Sequence, residues 1–155
     1  MQEYDKQVWF DHVTQYNYDQ FKNPSLKRRF ENMALLGIAA MDEVSLSEFN
    51  NIVSEMQGVY GAGKVCPFEK QDCDLNLEGL TLEPGISEVV DNPADHTWEE
   101  LSYYWKNWRD VSGKQIRQQF ASYVELSNKA ATANSLRDAS EMWLASYNQD
   151  DPAFR

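Results

Sequence analysis

Apolar side chains return along this chain every three or four residues, the spacing that lines one face of an α-helix, and no run alternates in the two-residue rhythm of a strand. The first stretch, Glu3 to Tyr18, is aromatic-rich and only weakly periodic, and it reads as a helix. Asn23-Pro24-Ser25 reads as a turn whose serine caps a second helix, Leu26 to about Ala40, with Leu26, Phe30, Met33, Leu36 and Ile38 near helical spacing. Ser45 followed by Glu48 has the form of a capping box, and behind it Phe49, Ile52, Val53, Met56 and Tyr60 mark a third helix from Leu46 to Tyr60. Gly61-Ala62-Gly63 ends that helix. From Lys64 to Pro84 the period is lost in a loop holding both cysteines, and it returns at Gly85.

Thr97 and Glu100 repeat the capping-box pattern ahead of Leu101, Tyr104, Trp105, Trp108 and Val111, which share one face. Ser112-Gly113 interrupts or bends this helix. Ile116, Phe120, Tyr123, Val124 and Ser127 define the next, which stops near Asn134, and Ser135 with Asp138 opens a last one through Met142 and Trp143 to Tyr147. Five Pro and seven Gly, the latter mostly at the joints, complete the expectation of an all-α protein with short connections.

Composition narrows the functional classes. With 42% hydrophobic and 13% aromatic residues, the chain has enough apolar surface to fold and does not read as a disordered tail. Fourteen basic against 25 acidic residues give a formal charge of -11, which repels a phosphate backbone, so nucleic acid is not an expected partner. The longest apolar run, Met33 to Met41, falls far short of the roughly 20 residues of a bilayer-spanning helix. Met1-Gln-Glu-Tyr-Asp5 has neither the basic nor the apolar segment of a secretory signal.

Candidate chemistry is sparse. Zinc bound by Cys66 and Cys73 would need two further ligands close by, and the two histidines, His12 and His96, lie far off in sequence. The cysteines therefore either close a small polar loop or remain two thiols. Trp98, Tyr104, Trp105 and Trp108, flanked by Lys106 and Arg109, suggest a sugar or base platform, but bulky aromatics at helical spacing more commonly pack a core. Tyr103 and Tyr104, adjacent on a helix, point to different faces, which leaves one of them to line a groove. No G-x-S-x-G elbow occurs, neither histidine is read as having an acid spaced to orient it, and the pairs Glu99-Glu100 and Asp150-Asp151 read as solvated surface. H-E-x-x-H, two helix-borne zinc ligands around a general base, is absent from the sequence. No catalytic or metal-binding residue is assigned.

Several segments nonetheless carry a likeness. Met56-Gln-Gly-Val-Tyr60-Gly-Ala-Gly-Lys64-Val-Cys66, Leu82-Glu-Pro-Gly85, Tyr104-Trp-Lys-Asn-Trp-Arg109-Asp-Val-Ser-Gly113-Lys and Tyr123-Val-Glu-Leu-Ser-Asn128-Lys-Ala-Ala follow one another, with Gln20 to Arg28 upstream and Asp138-x-x-x-x-Trp143 downstream. In order and approximate spacing this resembles the angiotensin-converting enzyme family over roughly Tyr16 to Tyr147, with an invertebrate-like character. The resemblance implies a Cys66–Cys73 disulfide, and with it an oxidising, secreted or cell-surface setting. It also implies that residues 1–155 form a partial peptidyl-dipeptidase domain, scaffold in one lobe of a larger helical domain divided by a cleft. In the complete family enzyme a zinc ion, held by residues downstream of the matched segment, serves to cleave dipeptides from the carboxyl ends of peptides. Many vertebrate members have an arginine that holds an activating chloride where this chain has Leu144, so chloride activation is not expected at that position. The competing expectation is a non-catalytic helical binding protein on the same scaffold.

Overall fold

A computed structural model describes residues 2–147 of the chain. Among them are seven α-helices, α1 (Gln2–Val8), α2 (Pro24–Ala34), α3 (Glu43–Ala62), α4 (Ser87–Asp91), α5 (Trp98–Val111), α6 (Arg117–Ala133) and α7 (Ala139–Leu144), with short turns of tighter or wider helix in several of the connections. No strand forms among the described residues, where extended pairing is confined to one antiparallel bridge, Val65 with Leu80. The all-α expectation therefore holds.

The helix starts show which side-chain caps operate. Asn23, not Ser25, caps α2: its side chain accepts a hydrogen bond from Leu26 N at 3.1 Å, and Pro24 takes the first helical position, where a missing N–H costs nothing. At α3 the cap is Asp42, whose carboxylate accepts from both Ser45 N and Ser45 Oγ at 2.9 Å. The helix thus starts three residues before the expected Leu46, and Ser45 is a buried residue of its first turn. Thr97 does cap α5, accepting from Glu100 N at 3.2 Å. Asp138 caps α7 by accepting from Glu141 N at 3.0 Å. Ser135 opens no helix. With φ of 62° it ends α6 instead, its N–H on Thr132 O and the Leu136 N–H on Ala131 O, the paired bonds of a Schellman ending.

The helix ends depart from the periodicity in two further places. The stretch Glu3 to Tyr18 is not one helix, because α1 widens into a π-helical turn at Trp9–Val13, where the Trp9 indole N–H donates to Ala34 O at 2.9 Å. The helix expected to reach Ala40 stops at Ala34, and Gly37 with φ of 58° reverses the chain before a short 3₁₀ turn, Gly37–Ala40. Asn134 secures this reversal from both sides, its Oδ1 accepting from Gly37 N at 3.2 Å and its Nδ2 donating to Gly37 O at 2.8 Å.

Among the described residues two compact units emerge, one formed by residues up to Asn50 together with those from Tyr123, the other by Asn51–Ser122. The boundaries fall within α3 and α6. In the first unit Val13, Ala39, Met41, Leu46, Phe49, Ala130 and Ala131 are buried, and the Phe49 and Tyr123 rings stack 5.2 Å apart. In the second, Val65, Ile86, Tyr104 and Trp108 form a core against which Phe68, Leu80, Leu82, Val89, Tyr103 and Val111 pack. A Cβ on Gly63 would lie 3.2 Å from the Trp108 ring, so a glycine there lets the indole reach the backbone.

Candidate functional site

The second unit is organised around the loop that the cysteines close. Cys66 and Cys73 are joined by a disulfide, with Cα atoms 5.6 Å apart, and the Val65–Leu80 bridge draws the ends of the loop together. Lys70 and Glu78 pair across it at 2.7 Å. Helix α5 then clamps the loop with two consecutive hydroxyls. Tyr103 Oη donates to Cys66 O at 3.1 Å, while Tyr104 Oη accepts from Phe68 N at 3.0 Å. The two rings meet edge to face, and the Phe68 ring sits 5.6 Å from that of Tyr103. Burial pushes both phenol pKa values above the ordinary 10.0. Tyr104, buried in the core, also borders an adjoining cavity.

The aromatic face of α5 divides. Tyr104 and Trp108 are buried in the core, with Tyr60 edge-on to Trp108 at 5.3 Å, whereas Trp98 is 78% exposed and Trp105 60% exposed. Core packing thus explains only half of the aromatic stripe, because positions 98 and 105, seven apart, fall outside the narrower stripe of 101, 104, 108 and 111. Trp105 carries the Arg109 guanidinium over its ring at 3.1 Å, and Arg109 Nη1 donates to Trp105 O at 2.9 Å. Beside this stack opens the cavity, of about 290 Å³. Its floor is Leu82, Ile86, Tyr104 and Trp108, and its mouth includes Asp91, Trp105 and Arg109.

The polar residues elsewhere resolve into local structure. His96 does have an acid to orient it, contrary to expectation: its Nδ1 lies 2.9 Å from Glu100 Oε2, and both side chains are largely shielded from solvent. The signal is the spacing of four across the Thr97 cap, hidden because Glu100 reads first as the capping partner of Thr97 itself. Glu99 is exposed, and Asp150-Asp151 lies outside the described residues. His12 belongs to the π-helical turn of the first unit. In that same unit Lys129 donates to Asp42 at 2.7 Å and to Ser45 Oγ, and the hydrogen bonds that Asp42 accepts, led by the ammonium, hold its carboxyl far below the usual carboxylate range. Leu144, at the end of α7, is 65% exposed and offers an anion no charge. Among the described residues no three His, Cys, Asp or Glu side chains converge on a point that could hold a metal ion.

The motifs of the loop, α5, α6 and α7 all fall inside a match to the family model of angiotensin-converting enzyme, peptidase M2, which runs over residues 1–154. The chain belongs to the angiotensin-converting enzyme family. It is 34% identical over 139 residues to an angiotensin-converting enzyme-related protein of Drosophila melanogaster, covering 89% of this chain and 21% of that protein. It is 30% identical over 138 residues to the angiotensin-converting enzyme of Theromyzon tessulatum, covering 89% and 21%. It is 32% identical over 136 residues to that of Rattus norvegicus, covering 88% and 10%. The chain therefore spans about a fifth or less of the length of these angiotensin-converting enzyme relatives. Among the described residues of this family member no helix is long and apolar enough to cross a membrane.

Proposed function

We propose that this chain is scaffold of a zinc peptidyl-dipeptidase of the angiotensin-converting enzyme type, which removes dipeptides from the carboxyl ends of oligopeptides, and that it is inactive by itself. The family match over residues 1–154 carries the reading. Such an enzyme uses its metal to activate water and polarise the scissile carbonyl. The described residues do not fit that ion, since no three ligating side chains converge, both cysteines are bonded to each other and His96 is engaged by Glu100. The zinc ligands belong in this reading to the part of the complete domain that the chain does not span. What the chain supplies is the clamped loop and the packed α5, rigid elements on which a cleft wall can be built. The disulfide favours a secreted or cell-surface setting, and Leu144 argues against chloride activation at its position.

A chimera tests the proposal: the Theromyzon tessulatum enzyme with its matched segment replaced by this chain. It should retain zinc and release dipeptides from a blocked tripeptide in a chelator-sensitive manner, while the isolated chain does neither. A chimera that folds and holds zinc yet cleaves nothing would overturn the enzymatic reading in favour of a non-catalytic helical binding protein. Stoichiometric zinc and hydrolysis by the isolated chain would overturn the scaffold reading.

A further inference from the structure

The mouth of the cavity in the second unit carries two opposite charges that the described residues leave unneutralised. Arg109 is held over Trp105 and tied to its carbonyl, but no carboxylate of the described residues lies within ion-pair distance of it. Its neighbours behave differently, since Lys106 and Lys114 both reach Asp110, at 3.0 and 3.1 Å. Asp91, at the end of α4, has no ion-pair partner among the described residues either, and no ion pair joins it to Arg109. Opposite charges at one opening, close enough to line the same cavity yet not paired, leave a gap for a group bearing both signs. The floor between them, Leu82, Ile86, Tyr104 and Trp108, is apolar and mostly buried.

We propose that this cavity binds a small apolar zwitterion, a hydrophobic amino acid or dipeptide. Its carboxylate meets Arg109, its ammonium meets Asp91, and its side chain lies on the aromatic floor. The volume of about 290 Å³ is at the small end of ligand pockets and suits a body of that size rather than a long peptide. Stacking on Trp105 fixes the guanidinium plane in advance, so a carboxylate meets a fork that has already lost its rotational freedom. Binding of this kind needs no turnover and stands apart from the peptidase reading.

The test titrates the 155-residue chain with phenylalanyl-leucine by calorimetry, following tryptophan fluorescence in parallel because Trp105 and Trp108 border the cavity. The N-acetylated and carboxyl-amidated forms of the same dipeptide serve as probes of each charge. Saturable binding of the free dipeptide is expected, weakened about tenfold or more by either blocking group. Arg109→Gln should weaken the free dipeptide while leaving the amide unchanged, and Asp91→Asn should do the same with respect to the acetylated form. Arg109→Lys, which keeps the charge and loses the fork, should fall between. Circular dichroism of each variant confirms that it is folded. No saturable binding, equal binding of the blocked forms, or variants that bind the free dipeptide like the parent chain would each overturn the proposal.

Discussion

At the scale of the residue, Tyr103 and Tyr104 show how one step along a helix sends two identical side chains to one target by different routes. Each hydroxyl meets main chain of the disulfide loop more than 30 positions earlier, one as donor and the other as acceptor. Tyr104→Phe leaves the Phe68 N–H without its partner in a partly buried setting, and urea unfolding should report a loss of about 1–3 kcal/mol. Tyr103→Phe, which frees only a carbonyl, should cost about 1 kcal/mol. Both phenols titrate higher folded than unfolded, so their contribution is complete below pH 10.0 and is lost as pH rises through the raised folded values. Stability should therefore decline above that pH, and less steeply in the double phenylalanine variant. The sequence suggests that the two rings part to different faces, whereas they meet edge to face over one loop, because their partners are set by tertiary contact. The Lys129 salt bridge to Asp42, 87 positions apart, is illegible for the same reason.

At the scale of the element, periodicity locates every α-helix longer than ten residues among those described but misplaces several ends. A Ser followed by Glu three residues later suggests a cap at Ser45, whereas the structure uses Asp42 three residues earlier, an acid that caps as well as serine does and takes the Ser45 N–H instead. The Thr97 pattern succeeds, with Thr97 accepting from Glu100 N while the Glu100 carboxylate turns to His96. The aromatic stripe of α5 is legible as a face but not in its width, so the exposed Trp105 and its Arg109 stack fall outside the core that the spacing suggests. The Schellman ending of α6 yields a prediction at this scale. Ser135 holds a left-handed backbone that glycine adopts without strain, so Ser135→Gly should stabilise the chain by roughly 0.5–1 kcal/mol in denaturant unfolding. Gly37→Ala, at the other positive φ, should destabilise by a similar amount, although its Cβ would meet no neighbour within 4 Å.

At the scale of the whole molecule, family membership is legible in the order of short motifs, and the disulfide follows from it rather than from spacing. The division into two compact units is not, because it cuts through α3 and α6, which look continuous in periodicity. Protein produced under oxidising conditions should accept an alkylating reagent at Cys66 and Cys73 only after reduction, as intact mass will show. Closing so short a loop is worth on the order of 2.5 kcal/mol, so the reduced form should unfold at lower urea. The same ring changes what a protease can accomplish here. Lys70 lies inside it, with a side chain 57% exposed. A cut after that residue opens the backbone yet leaves both pieces tethered. Such a nick would add one water to the mass and pass unseen on a gel run without thiol, and only a reductant would release the two halves.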